Sequence, residues 1–384
     1  MEKCVIVEYG RSAVGKARKG SLAKANPVDF GAEVLKGVLD KIPKLDQRSI
    51  DDIIIGCAIP EGKMGLNPAR NIALRAGIPD SVPAQTVNRF CSSGIQSVAI
   101  GSAMIKSGLQ DIVVAGGVES MTCPVISEKE EYLNKWLLEN TQAYIPMGFT
   151  AENVAKKYNV SRREMEEMAV ESHKKAAEAE KRGFFDREII PVTGYDDQGN
   201  PFKFTKDEGI REETSIEILS KLKPAFLEDG LVTAATSSPR SDGAGFVVLM
   251  SESKARKLNI KPIAEFQTYA VKGLDPAYMG LGPICAVKKL FTKTDLSLED
   301  MDVIELNEAF ASQAIATIRD LNLDKNKVNP RGGALALGHP LGATGTILLS
   351  KALNYLKDTG GKYGLITMCI GGGMGAAGIV KMID

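Results

Sequence analysis

Val82-Pro83-Ala84-Gln85-Thr86-Val87-Asn88-Arg89-Phe90-Cys91-Ser92-Ser93-Gly94 passes from an extended segment through a tight turn into a helical pattern. From Ser92 to Lys106, Ile95, Val98, Ala99, Ser102 and Ile105 share one helix face. Gly108 closes the helix as a C′ glycine. Asp111-Ile112-Val113-Val114-Ala115-Gly116-Gly117 then reads as a buried strand. Strand, sharp turn, helix and strand in succession imply an α/β fold, a sheet covered by helices. Cys4-Val5-Ile6-Val7 and Ile53-Ile54-Ile55-Gly56-Cys57 supply further strands.

The last third repeats this grammar. Val328-Asn329-Pro330-Arg331-Gly332-Gly333-Ala334 opens as Val87-Asn88-Arg89-Phe90-Cys91 does. A helix is expected from about Gly345 to Lys357, and a strand over 364–368 runs into glycines as 112–117 does. Two halves of one architecture follow. Between them, residues 120–243 carry more charge and fewer apolar runs. Ser161-Arg162-Arg163-Glu164 is a capping box that starts a helix to about Arg182, and Asp196-Asp197-Gln198-Gly199-Asn200 is a turn. Residues 246–250 return to a strand, so the stretch before them reads as an insertion of small helices and long loops. Thirteen of the 38 glycines lie between 332 and 378, which implies close backbone approach to a ligand or turns of positive φ.

The 384 residues include 48 Lys and Arg against 48 Asp and Glu, so no net basic field exists to hold nucleic acid or an anionic membrane. The uncharged run 363–380 approaches a membrane span in length, but its six glycines suit a buried strand–turn–strand better. Cys4, Cys57, Cys91, Cys123, Cys285 and Cys369 form no C-x-x-C pair and no disulfide or zinc rhythm. With no signal peptide over residues 1–10, a reducing cytoplasm is the expected location. His173 and His339 are the only histidines, which leaves no histidine-rich metal centre.

Two nucleotide motifs match by letter and fail on context. Gly10-Arg11-Ser12-Ala13-Val14-Gly15-Lys16-Ala17 lacks the Ser/Thr of a phosphate loop and opens no helix. Gly373-Met374-Gly375-Ala376-Ala377-Gly378 matches G-x-G-x-x-G with no room for a crossover helix after it. The better candidates are isolated reactive groups. Cys91 stands immediately before a helix, where free N–H groups and the helix dipole favour a thiolate; a buried packing thiol is the alternative. Cys369 follows a strand and precedes Ile370-Gly371-Gly372-Gly373, whose N–H groups suit an oxyanion while the thiol moves a proton. His339 is fixed between Gly338 and Pro340, a setting for a base. His173, in Glu171-Ser172-His173-Lys174-Lys175, reads as a solvated helix residue. Asn307 either caps a helix or positions a water or an oxyanion.

Residues 88–94, 307–311, 332–345 and 369–375 together resemble, in order and over nearly the whole chain, the motifs of the thiolase family. The resemblance implies a five-layered αβαβα core from two similar halves: residues 1–119 with 244–261, and residues 262–384. An inserted loop domain, 120–243, would bind CoA. It also implies a homodimer or homotetramer, acyl-CoA, acetyl-CoA and CoA as substrates, no metal and no tightly bound cofactor. Cys91 matches the acyl-accepting nucleophile and His339 the base that activates it. Cys369 matches the second acid/base, and Asn307 the holder of a water that completes one oxyanion hole with His339. The N–H groups of Cys91 and Gly371 match the other hole. Arg211, Leu222, Phe226 and Ser238 match CoA-contacting positions of the loop domain, and Met147, in the Pro146-Met147-Gly148 match, is counted among the CoA-binding residues with them.

The branch is read from departures. Cys91-Ser92-Ser93-Gly94 resembles degradative thiolases, whereas the biosynthetic branch usually has Cys-Gly-Ser-Gly. Pro146-Met147-Gly148 stands where that branch usually has His-Met-Gly. Both favour a 3-ketoacyl-CoA thiolase of β-oxidation over an acetyl-CoA C-acetyltransferase. A non-catalytic acyl-CoA-binding relative should have lost Cys91, His339 or Cys369. Pro239-Arg240 and Cys285 fit neither branch well, and both could reshape the CoA or acyl pocket.

Overall fold

The computed structural model describes residues 2–123, 125–127 and 129–383. The first half holds β1 (Cys4–Arg11), the short β2 (Gly15–Lys16), β3 (Asp52–Gly56), β4 (Ala84–Val87) and β5 (Ile112–Ser120). Its helices are α1 (Pro27–Asp40), α2 (Pro68–Arg75) and α3 (Ser93–Lys106). The chain then leaves the sheet for α4 (Lys135–Asn140), α5 (Met147–Lys157), α6 (Arg162–Lys181), the ribbon β6 (Val192–Tyr195) with β7 (Pro201–Phe204), and α7 (Ile216–Leu219). It returns as β8 (Ser241–Ser251), antiparallel to both β5 and β1, and continues into α8 (Glu252–Leu258). The second half holds β9 (Ala264–Gly273), α9 (Gly282–Phe291), β10 (Val303–Leu306), α10 (Ala311–Asp320), α11 (Ala334–Leu337), α12 (Leu341–Thr359), β11 (Tyr363–Ile370) and β12 (Met374–Met382).

The halves share one pairing pattern. β4, β3 and β5 are parallel and β8 and β1 follow antiparallel; β10 and β11 are parallel and β12 and β9 follow antiparallel. The similarity between 87–91 and 328–334 has a structural basis, because Val87 pairs with Gly56 of β3 and Val328 bridges in parallel to Ile304 of β10. The two sheets are not separate: Val5↔Glu265 and Ile6↔Ala264 join β1 to β9 in a single hydrogen-bonded path.

Alternation along the strands sorts side chains into layers. Ile53, Ile55, Ile112, Val114, Val248 and Met250 face Phe30, Val34, Leu35 and Ile72 of α1 and α2. Ile54, Val113, Ala115, Val247 and Leu249 face the opposite way, onto Ile95, Val98 and Ile105 of α3 and Leu348, Leu349, Leu353 and Leu356 of α12. The far side of that middle layer is closed by Val303, Ile366, Met368 and Val380. Ile304, Leu306, Leu365 and Ile379 point outward onto Ile284, Val287 and Leu290 of α9 and Ala314 of α10. Five layers result, and strands covered on both faces explain why β3, β5 and β11 are continuous apolar runs.

α12 begins at Leu341, four residues before the expected start, despite Gly342 and Gly345. Those glycines are poor helix formers but allow contact. A Cβ at Gly345 would stand 2.3 Å from the Ile95 nitrogen, and one at Gly342 2.8 Å from that of Ala58. Much of the glycine density around 340 thus serves helix-to-backbone contact within the protein. The run 363–380 is the antiparallel pair β11 and β12, and no helix among the described residues is long and apolar enough to cross a membrane.

Candidate active site

Cys91 lies in a single 3-10 turn, Phe90–Ser92, between edge strand β4 and α3. Phe90 has φ +43°, a left-handed conformation that costs a bulky residue about 1–2 kcal/mol. Local bonds hold it there: Asn88 Oδ1 accepts the Phe90 N–H at 2.8 Å, and Ser93 Oγ accepts that of Arg89 at 2.8 Å. The turn leaves Cys91 half-buried with N–H groups around its sulfur, its own and that of Gly371. The expected low-pKa thiolate is not what the structure shows. Burial outweighs both N–H groups and pushes the thiol up to about 11, so Cys91 rests as a neutral thiol.

The same turn packs against α12, which starts just after His339, and against β11, which carries Cys369. His339 is buried; Ser241 Oγ accepts its N–H at 3.2 Å, and Thr344 Oγ1 lies 2.6 Å from its Nδ1. Burial lowers the imidazole to about 4, so at neutral pH it carries a free lone pair. Gly338 before it has φ +106°, and a Cβ there would stand 2.3 Å from Ser241 Oγ. Cys369 is fully buried in β11, within an apolar cluster that includes Met279, Phe310 and Leu335. Desolvation and the neighbouring Cys91 push its thiol far up, so it rests neutral rather than as an anion.

Asn307 follows β10, and the parallel register Leu306↔Thr367 sets it beside the end of β11. Its N–H donates to the Thr367 carbonyl at 3.0 Å and its carbonyl accepts from Gln313 Nε2 at 3.1 Å. Its Nδ2 lies 3.5 Å from Nδ1 and 3.4 Å from Nε2 of His339, long for a hydrogen bond to either. Its Oδ1 is buried with no partner, an acceptor left for something that enters the site.

The expected loop-domain positions divide into two groups. Met147 starts α5, and its Sδ lies 3.6 Å from where a Cβ on Gly371 would stand. Phe226 packs on Gly148 and edge-on against Phe310, centroids 6.1 Å apart. The Ser238 N–H donates to the Ala309 carbonyl at 2.9 Å, and the next turn bridges Arg240 to His339. These positions join the site. Leu222 and Arg211 are exposed and are not brought onto the four motifs: the Leu222 carbonyl accepts from the Arg162 guanidinium, and the Arg211 N–H donates to His173 Nδ1 at 3.1 Å.

That last bond corrects the reading of His173 as solvated. It is buried against the 207–211 loop, and burial with nearby Arg211 lowers it to about 4. The segment that resembles a phosphate loop is filled from within. Arg11 pairs with Glu188 and Asp207 at 2.8 Å, and Asp207 Oδ1 also accepts the Val14 N–H at 2.7 Å. Cys285 is half-buried on α9, most of whose residues are buried. The sequence reading missed Thr344, Ser241 and Glu119. Only Glu119 left a signal, a charge at the end of an otherwise apolar strand.

Family models for the thiolase N-terminal and C-terminal domains match residues 4–253 and 260–382. The chain is 48% identical to a 3-ketoacyl-CoA thiolase of Bacillus subtilis (strain 168), over 100% of both chains. Among solved structures, the Bacillus anthracis acetyl-CoA acetyltransferase superposes with a TM-score of 0.93 at 37% identity, covering 100% of this chain and 99% of that one. Human mitochondrial 3-ketoacyl-CoA thiolase gives 0.92 at 36% identity, with 100% and 99% covered. With both domain models matched, full-length relatives, and Cys91, His339, Asn307 and Cys369 carried on adjoining elements, the chain belongs to the thiolase family.

Proposed function

We propose that this protein is a 3-ketoacyl-CoA thiolase that cleaves 3-ketoacyl-CoA with CoA to acetyl-CoA and a shortened acyl-CoA. The observation that carries the reading is a neutral, half-buried thiol on a turn packed against α12, a neutral, buried imidazole just before that helix and beside Asn307, and a deeper second thiol. His339 takes the Cys91 proton as sulfur attacks the C3 ketone, and N–H or imidazole donors hold the oxyanion. The C2–C3 bond breaks, its electron pair becomes the acetyl-CoA enolate, and the Cys369 thiol protonates C2. The Cys369 thiolate then takes the proton of an incoming CoA thiol, which attacks the acyl-Cys91 thioester. Cys91 leaves as thiolate and recovers its proton from His339. Acyl storage on Cys91 makes the kinetics ping-pong. CoA enters as substrate, and no step calls for a metal or resident cofactor.

Degradation of longer acyl chains is supported by the wall beside Gly371. Met147 and Phe90 line it, Phe226 packs on Gly148 and Phe310 nearby, and Pro146 stands where an imidazole would suit a short polar acyl group. Arg211, Leu222, Phe226 and Ser238 are assigned to CoA. β-Oxidation in the cytoplasm fits six free thiols. A homodimer or homotetramer fits unpaired edge strand β4 and the exposure of Leu66, Phe90, Tyr132 and Trp136. The second reading, acetyl-CoA C-acetyltransferase, is favoured by the likeness to the B. anthracis structure. CoA-dependent cleavage of 3-ketoacyl-CoAs of increasing length, with Cys91→Ala as control, separates them. Medium and long chains cleaved faster than acetoacetyl-CoA support the first reading; activity confined to acetoacetyl-CoA supports the second.

A further inference from the structure

Glu119, near the end of β5, is completely buried and has no part in the reaction above. Its Oε2 accepts two N–H groups from opposite halves of the molecule, Ala58 at 2.8 Å and Gly342 at 2.9 Å. Its Oε1 accepts the Ile59 N–H at 3.3 Å, and the Cys57 thiol lies 3.7 Å away. Each anchor leads to a reacting group. The Ala58 carbonyl accepts Asn88 Nδ2 at 2.9 Å, and Asn88 Oδ1 takes the N–H of Phe90, the residue before Cys91. Gly342 is in the first turn of α12, three residues after His339, where the dipole of a 19-residue helix favours an anion.

We propose that Glu119 is a positioning residue: one carboxylate ties the Cys91 turn to the His339 loop and so sets the nucleophile-to-base geometry. The structural setting supports this over simple filling of the core. Burial of a carboxylate is costly and pushes Glu119 up to about 7 against the pull of three N–H groups. Yet the site it holds is a seam where backbone meets backbone, and a Cβ at Gly117 would stand 2.0 Å from the Gly342 carbonyl oxygen. An apolar side chain there would leave the Ala58 and Gly342 N–H groups unpaired.

The test rests on the thiolase reading for its kinetic arm only. Glu119→Gln keeps the shape but turns an N–H₂ toward one of the anchoring N–H groups. Alkylation of Cys91 by iodoacetamide, followed on its own peptide by mass spectrometry, reports the Cys91–His339 pairing without any substrate. Expected are a folded protein, a KM for CoA within about twofold, and a parallel fall of ~10–100-fold in kcat and in Cys91 alkylation, the scale of an ångström-sized displacement. Asn88→Ala, at an exposed position, loosens the same link and gives the same parallel fall if Glu119→Gln does not fold. A lower Tm with unchanged alkylation and kcat per folded protein overturns the proposal. So does a raised KM for CoA at constant kcat. Absence of thiolysis in the wild type with alkylation still sensitive to Glu119 sinks the thiolase reading and leaves the link standing.

Discussion

Cys91 and Cys369 are both thiols beside backbone N–H groups, yet the fold treats them oppositely. Cys91 is presented on a strained turn, half-buried, between an edge strand and a helix start. Cys369 is inside β11, paired across to Gly375 and sealed by Met279, Phe310 and Leu335. The turn leaves the first sulfur half-buried, whereas the strand buries the second fully. Burial raises both thiols and raises Cys369 further, so the half-buried one suits attack and the enclosed one suits giving up a proton to a carbanion.

The largest effect should separate the two. Cys91→Ala is expected to lose cleavage and acyl exchange alike, by ~10⁴-fold or more. Cys369→Ala should lose carbon–carbon cleavage on that scale while still exchanging labelled CoA into a saturated acyl-CoA, since that exchange needs no proton at C2 and His339 alone can pass the proton between Cys91 and the CoA thiols. Loss of exchange in both variants would break the division of labour. Next, Asn307→Ala removes the free Oδ1 and Nδ2 beside His339, and a fall in kcat of ~10²–10³-fold is expected, as for one oxyanion donor. A change confined to KM would instead place Asn307 in binding.

The smallest effect is in stability. His339 is held at about 4 in the fold against about 6.5 in the unfolded chain, so the unfolded state binds the extra proton between those values. Stability should therefore be complete above pH 6.5 and fall by up to roughly 3 kcal/mol from this group as pH drops to 4. His173 acts in the same direction. Urea midpoints across that range should show the fall, and His173→Gln should make it shallower. A flat profile would mean that neither imidazole is desolvated as the fold implies.

Much of the site could be read from the chain because its chemistry is local. Cys91 before a helix, His339 between Gly338 and Pro340, and Cys369 before glycines each carry a signal within a few residues. His173 misled because a charged helix sequence does not reveal the loop that covers it, here 207–211. The start of α12 misled because glycine lowers helix propensity, while the contact with Ile95 that requires glycine is some 250 residues away in sequence.

By itself the sequence determined the α/β alternation, the doubled half, the family motifs and the residue types able to carry acyl transfer. Periodicity and turn chemistry are set by neighbours along the chain. Only the tertiary structure decided the protonation of those residues and their partners. A cysteine expected to be a thiolate rests as a thiol, Thr344 partners His339 from within the 332–345 motif, and Ser241 and Glu119 enter the site from segments without one. Desolvation and long-range hydrogen bonds depend on what covers a group, and that is fixed only when β5, α3 and α12 close on one another.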